Sequence, residues 1–232
     1  MQNLLLLHGA LGTSRDLTAI GEALEQRGIR IHHFLFPGHG EKEAPGAFHI
    51  EQFTLALEQY IVQNNLTGTD VFGYSMGGYV ALALAARQTE IFRRIITLGT
   101  KFNWSTASVE KETKQLNPEI IVQKVPAFAR QLALKHGANW PDLLHKTADL
   151  MRDISSRQYL DDLTLKKIAQ PVLIGLADKD QMVSLDETVH VVNTLPKAFM
   201  YMLPCTKHPV ETVNAGLLGQ IILDFVTDEK MK

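Results

Sequence analysis

Cysteine is almost missing from this 232-residue chain: Cys205 stands alone, so no internal disulfide can form and a reducing compartment is expected. With no Cys pair and no His-x-x-x-His or Cys-x-x-Cys spacing, a local zinc site has no support. No stretch approaches the roughly 18 consecutive apolar residues of a membrane helix. The four leucines Leu4–Leu7 near the start follow no basic residue and are too few for a signal peptide. A cytoplasmic protein without a membrane partner is therefore expected. An excess of one charge is also missing. The 23 basic residues are set against 25 acidic ones, a net −2 without clustering, so nucleic acid is not an expected partner. Internal repeats and low-complexity tracts are absent too. What remains is 45% hydrophobic and 21% charged, enough to fill a core. The length suits one α/β domain with an insertion rather than two small domains.

Short apolar runs bounded by turn residues alternate with longer amphipathic ones, the pattern of βαβ units around a parallel sheet. Strands are expected at Leu4–Leu7, Arg30–Phe34, Asp70–Tyr74, Ile95–Leu98, Pro171–Leu176 and Phe199–Leu203. They read as apolar on both faces, as strands covered by helices on each side should. Helices are expected at Arg15–Gln26, Ile50–Asn64, Met76–Arg87, Leu185–Thr194 and Val210–Thr227. From Lys101 to Lys167 no strand is evident, only helical pattern broken by Pro118, Pro126 and Pro141. So long a gap should be a helical insertion, since structureless loops of that length are rare in compact domains.

The most specific motif is Gly73-Tyr74-Ser75-Met76-Gly77-Gly78, set between an expected strand and an Ala-rich helix. A serine at so tight a turn needs glycine two positions away on both sides, because side chains there would strike neighbouring backbone. At ordinary glycine usage about one serine in 200 has both flanks by accident. The chain has only seven serines, so chance is a poor explanation. Such a serine is a candidate nucleophile, and the Met76 amide at the helix start can face the charge that develops on an attacked carbonyl.

Two more motifs follow strands: His8-Gly9-Ala10 after the first, and Pro37-Gly38-His39-Gly40 after the second. Taken with the serine turn, Asp180 and His208, they resemble the α/β-hydrolase superfamily over Leu4 to about Val226. The resemblance implies a mostly parallel six-stranded sheet lacking the first two family strands. Residues 1–100 and 168–232 would form the core and 101–167 a helical cap, with the site at the carboxyl ends of the strands. Many family members carry Asp where this chain has Phe36, which would face the substrate pocket or the sheet edge. His8 and His39 read as structural. Ala10, following the glycine of the first loop, would supply the second oxyanion amide beside Met76.

In this superfamily the nucleophile, acid and base follow in the order Ser, Asp or Glu, His. Of nine histidines only His190 and His208 lie beyond the fifth expected strand, and His190 falls inside a helix. His208, in the loop after the last strand, is the expected base. Two aspartates compete for the acid. Counting forward from Gly175 favours Asp178; counting back from Val183 favours Asp180. The backward count is preferred, because Ser184 and Glu187 form a capping box that marks where the loop ends.

The resemblance implies hydrolysis of a carboxylic ester or thioester of a small, apolar substrate through an acyl-enzyme on Ser75, without a cofactor. A serine rather than an aspartate at the turn argues against dehalogenase and epoxide-hydrolase chemistry. Two alternatives remain: a lyase, synthase or C–C bond hydrolase using the same three residues, and a non-catalytic small-molecule receptor. Phe102, Trp104, Val125, Phe128, Trp140, Leu144 and Met151 are more large apolar residues than a surface insertion needs. Some of them should roof a substrate pocket.

Overall fold

The run Leu4–Leu7 shows how the fold is organised. In a strand successive side chains point to opposite faces, so four leucines in a row serve two cores at once. Leu5 and Leu7 join one buried cluster, Leu4 and Leu6 the other. The computed structural model, which describes residues 2–42, 44 and 46–228, places this run in strand β1 (Gln2–Leu7). The other strands are β2 (Ile29–Phe34), β3 (Thr69–Tyr74), β4 (Phe92–Leu98), β5 (Val172–Ala177) and β6 (Ala198–Leu203). They form one sheet in the order β2-β1-β3-β4-β5-β6, every pair parallel. The chain leaves β1 on one side for β2 and returns on the other for β3. That reversal opens a crevice at the carboxyl ends of β1 and β3.

On one face lie α1 (Thr18–Glu25) and α10 (Ala215–Thr227), whose Ile20, Leu24, Leu218 and Ile222 pack on Leu4, Leu6 and Phe72. On the other lie α2 (Ile50–Gln63), α3 (Met76–Arg87) and α9 (Leu185–Thr194). Phe53, Leu57, Val80, Leu84 and Val191 pack there with Leu5, Leu7, Val71 and Ile95. Five helices fill the interval between β4 and β5: α4 (Thr106–Thr113), α5 (Pro118–Lys124), α6 (Pro126–His136), α7 (Trp140–Arg157) and α8 (Asp162–Leu165). Proline sits in the first turn of α5, α6 and α7, where its missing N–H costs nothing. Ile121, Ala129, Leu132 and Leu144 form a small core of the insertion's own. Leu143, Leu150 and Ile154 on α7 instead join the main core, so α7 is fastened to the sheet layer. Among the described residues no helix is long and apolar enough to cross a membrane.

Three expectations need correction. The edge strands are not covered on both faces: Arg30 and His33 on β2, and Phe199 and Met202 on β6, are exposed, because the helices packed on these outer strands cover them only in part. The last helix does not start at Val210. A short 3-10 turn, Val210–Thr212, comes first, and α10 begins where the Asn214 side chain accepts the Leu217 amide at 3.0 Å. The first helix likewise opens as a 3-10 turn, Ser14–Leu17, before α1.

Candidate functional site

Between β3 and α3 the chain reverses within a single residue. Ser75 has φ 51° and ψ −116°, a conformation L-residues rarely adopt and one that surrounding contacts must hold. Glycine makes the approach possible. A Cβ on Gly77 would collide with the carbonyl oxygens of Leu7 and His8, and one on Gly73 with the backbone of Gly77 and Gly78. The Ser75 amide donates to Leu98 O at 2.9 Å, and its carbonyl accepts Tyr79 N at 3.2 Å and Thr100 Oγ1 at 3.1 Å. Ser75 Oγ therefore stands at the mouth of the crevice.

The loop after β6 brings His208 to it, with Nε2 3.4 Å from Ser75 Oγ. Tyr74, one residue before the serine, donates its hydroxyl to His208 O at 2.6 Å, and the two rings lie 5.7 Å apart. The opposite imidazole nitrogen, Nδ1, is 2.7 Å from Asp180 Oδ2. The other Asp180 oxygen accepts the amides of Met182 at 2.8 Å and Val183 at 3.0 Å, and its side chain is almost wholly buried. Burial alone would push the Asp180 carboxyl upward. The hydrogen bond and charge of His208, with the Val183 and Met182 amides, outweigh it and hold the group below the ordinary carboxylate range. Asp178 points elsewhere: its Oδ1 accepts Thr206 N at 2.9 Å at the surface of the same turn.

Ala10, Ser75 and Met76 line one cavity of about 40 Å³. Its remaining wall is mainly apolar, with Tyr79 and Met182 from the core and Trp104, Leu150, Met151 and Ile154 from the insertion, and only Lys101 and Thr147 are polar. Of the seven apolar insertion residues expected near a pocket, only Trp104 and Met151 reach this one. Val125, between α5 and α6, and Phe128 on α6 are exposed, and Trp140 and Leu144 pack within the insertion. Phe102 packs at the margin of the main core, away from the cavity. Phe36 is fully buried just beyond edge strand β2, against His8, Phe34 and Phe53, and does not line the cavity.

His8 and His39 are buried. His8 donates from Nδ1 to Gly9 O at 2.8 Å and accepts Phe36 N on Nε2 at 3.1 Å, and burial lowers its pKa to about 4. His39 Nδ1 donates to Pro37 O at 3.1 Å, and burial lowers this imidazole well below the usual value. His190 lies on the surface beside Asp162 at 2.8 Å. Among the described residues no group of three His, Cys, Asp or Glu side chains is placed to hold a metal ion.

Sequence reasoning missed four contributions. Tyr74 was hidden as the variable position of the glycine-serine motif. Buried Lys101 reaches Met182 O at 2.7 Å and Glu187 at 3.8 Å, fixing the start of the insertion to the loop after Asp180. Glu187 closes the expected capping box with Ser184 N at 2.7 Å. Its other oxygen, which no local pattern reveals, accepts the amides of Phe102 at 2.9 Å and Asn103 at 2.6 Å. The fourth is His136, which comes from the insertion and bonds Leu11 O and Gly40 N.

A family model described as alpha/beta hydrolase fold matches residues 2–144. Lipase 3 of Moraxella sp. (strain TA144) is 24% identical over 224 residues, covering 88% of this chain and 71% of that protein. A pimeloyl-[acyl-carrier protein] methyl ester esterase of Nitrosomonas europaea is 24% identical over 233 residues, covering 89% of this chain and 88% of that protein. Among solved structures, a thermophilic esterase from Thermogutta terrifontis superposes with a TM-score of 0.79 at 18% identity. That likeness covers 100% of this chain and 90% of the other.

Proposed function

The chain belongs to the alpha/beta hydrolase fold family, and from that premise we propose that it is a serine esterase acting on carboxylic esters or thioesters with a short apolar acyl group. The observation that carries the reading is the continuous line from Ser75 Oγ through His208 to Asp180, ending at a small apolar cavity. Ser75 Oγ attacks the acyl carbon as His208 Nε2 takes its proton, and Asp180 keeps the Nδ1 proton on the far side of the ring. The carbonyl oxygen, now negative, faces the amides of Ala10 and Met76. As the tetrahedral intermediate collapses, the bond to the leaving oxygen or sulfur breaks and His208 returns the proton to it. Water then enters by the same route and releases the acid. The Ser75–His208 distance of 3.4 Å is longer than a working proton-transfer contact, as is common before substrate binds. A cavity of about 40 Å³ holds about three water-sized groups, which suits an acyl group of a few carbons. Residues 101–167 act as a cap, since Trp104, Leu150, Met151 and Ile154 close the acyl side of that cavity. The relatives' names, lipase and methyl ester esterase, agree with ester substrates.

The test is labelling with a fluorophosphonate probe, followed by a panel of p-nitrophenyl esters and acyl thioesters of increasing chain length. The proposal expects the adduct on Ser75 and highest turnover between acetate and butyrate. Labelling without turnover of any ester or thioester would instead favour a lyase or synthase using the same residues, and no labelling at all would reject the serine nucleophile.

A further inference from the structure

The loop that carries Ala10 is held by two imidazoles of the same design. His8 donates a hydrogen bond to Gly9 O and accepts one from Phe36 N. His136, the last residue of α6, donates a hydrogen bond from Nε2 to Leu11 O at 3.0 Å and accepts one on Nδ1 from Gly40 N at 2.9 Å. Each ring thus spans from the loop after β1 to the loop after β2, one rung on each side of Ala10. His8 belongs to the loop after β1 itself, whereas His136 arrives from the insertion, 125 residues beyond Leu11.

Peptide geometry turns these rungs into a constraint on Ala10. In a trans peptide the N–H points opposite to the preceding carbonyl. Gly9 O is held by His8 Nδ1 and by Gly12 N at 3.2 Å, which fixes the Ala10 N–H from one side only and leaves the other side to Leu11. The next residue, Leu11, has φ +58°, a left-handed conformation that a branched side chain disfavours and that needs an external hold. The His136 bond to Leu11 O supplies it. The neighbouring Lys135 pairs with Asp16 at 2.8 Å, and Asp16 accepts Thr13 N at 2.8 Å, so the end of α6 is fastened along the same loop.

We propose that His136 is a positioning residue through which the helical insertion holds the Ala10 amide in line with Ser75. The inference rests on the esterase reading and on Ala10 as an oxyanion donor. The position of the insertion is thereby coupled to transition-state stabilisation as well as to the shape of the acyl cavity.

Two substitutions separate hydrogen bonding from packing. His136→Met keeps bulk but neither bond, and His136→Gln keeps one donor and one acceptor. Removing an oxyanion donor outright costs about 10²–10³ in kcat. A misdirected donor should cost less, so His136→Met is expected to lower kcat on p-nitrophenyl acetate about ten- to hundredfold with KM within about threefold. His136→Gln should retain kcat within about fivefold of wild type. Wild-type turnover that disappears in Ser75→Ala secures the esterase reading first. With that in hand, equal kcat for the Met and Gln variants, or a change confined to KM, overturns the positioning role and leaves the esterase intact. Nitrogen-15 NMR of labelled histidines gives a check on the unaltered protein that needs no variant to fold. At pH 7 His136 must be the neutral Nε2–H tautomer, and an Nδ1–H tautomer or a cation would overturn the proposal.

Discussion

Lowering the pH from 7 to 5 should cost this fold about 2 kcal/mol through a single buried imidazole. His8 is fully buried, and desolvation lowers its pKa from 6.5 to about 4. The unfolded chain therefore binds a proton that the folded chain refuses wherever the pH lies between those values. A group with a depressed folded pKa contributes stability above its unfolded pKa and loses it as pH falls towards the folded one. At pH 7 the penalty is about 0.2 kcal/mol, and at pH 5 it is about 2 kcal/mol, since each pH unit crossed is worth 1.36 kcal/mol. His39 and His136 are lowered by burial as well and act in the same direction. Asp180 adds little in this window, because its loss begins only below the ordinary carboxylate pKa of about 4. The assay is equilibrium urea unfolding at the two pH values, followed by fluorescence of Trp104 and Trp140. With a urea slope of about 2–3 kcal/mol/M, the midpoint should fall by roughly 1 M. A midpoint unchanged or higher at pH 5, or an NMR titration of His8 centred near 6.5, would show that burial of His8 does not make the fold acid-sensitive.

Asp180→Asn should cut kcat by about 10⁴, because the amide no longer holds the His208 Nδ1 proton, whereas Asp178→Asn should leave kcat within a few fold. Steady-state kinetics of the two variants checks this, and the reverse ranking would reassign the acid. Met151→Ala, at the wall of the cavity, should move the preferred acyl chain by about two to three carbons towards longer esters and cost about 2–4 kcal/mol in urea unfolding. An unchanged chain-length profile would show that Met151 does not bound the acyl site.

How far the site could be read from the sequence depended on whether the cause was local. The serine turn was legible because its requirement, no side chain on Gly73 or Gly77, is met within five residues. His208 was legible by position, since the loop after the last strand must pass the end of β3. Asp178 and Asp180 could not be separated with the same force. Both sit in one turn, and only the direction of each side chain decides which meets the imidazole and which meets Thr206. The apolar residues of the insertion misled more. Phe128 follows Pro126 in a helix with a weak apolar stripe, and nothing nearby tells which side turns outward. His136 was invisible because its partners, Leu11 and Gly40, lie 125 and 96 residues away. The fold followed the same rule: the central strands were evident from their apolar runs, whereas the exposed positions of β2 and β6 depend on which strands end at the sheet edges.

Whether Ser75 is the nucleophile is tested by turnover of Ser75→Ala on the best ester of the panel. The substitution removes one oxygen from a half-buried residue, so the variant should fold and bind substrate as wild type does. Losing the nucleophile of such a catalytic set typically costs on the order of 10⁶ in kcat, which places the variant at or below the limit of detection. Esterase activity within tenfold of wild type, measured on protein free of wild-type contamination, would contradict the account.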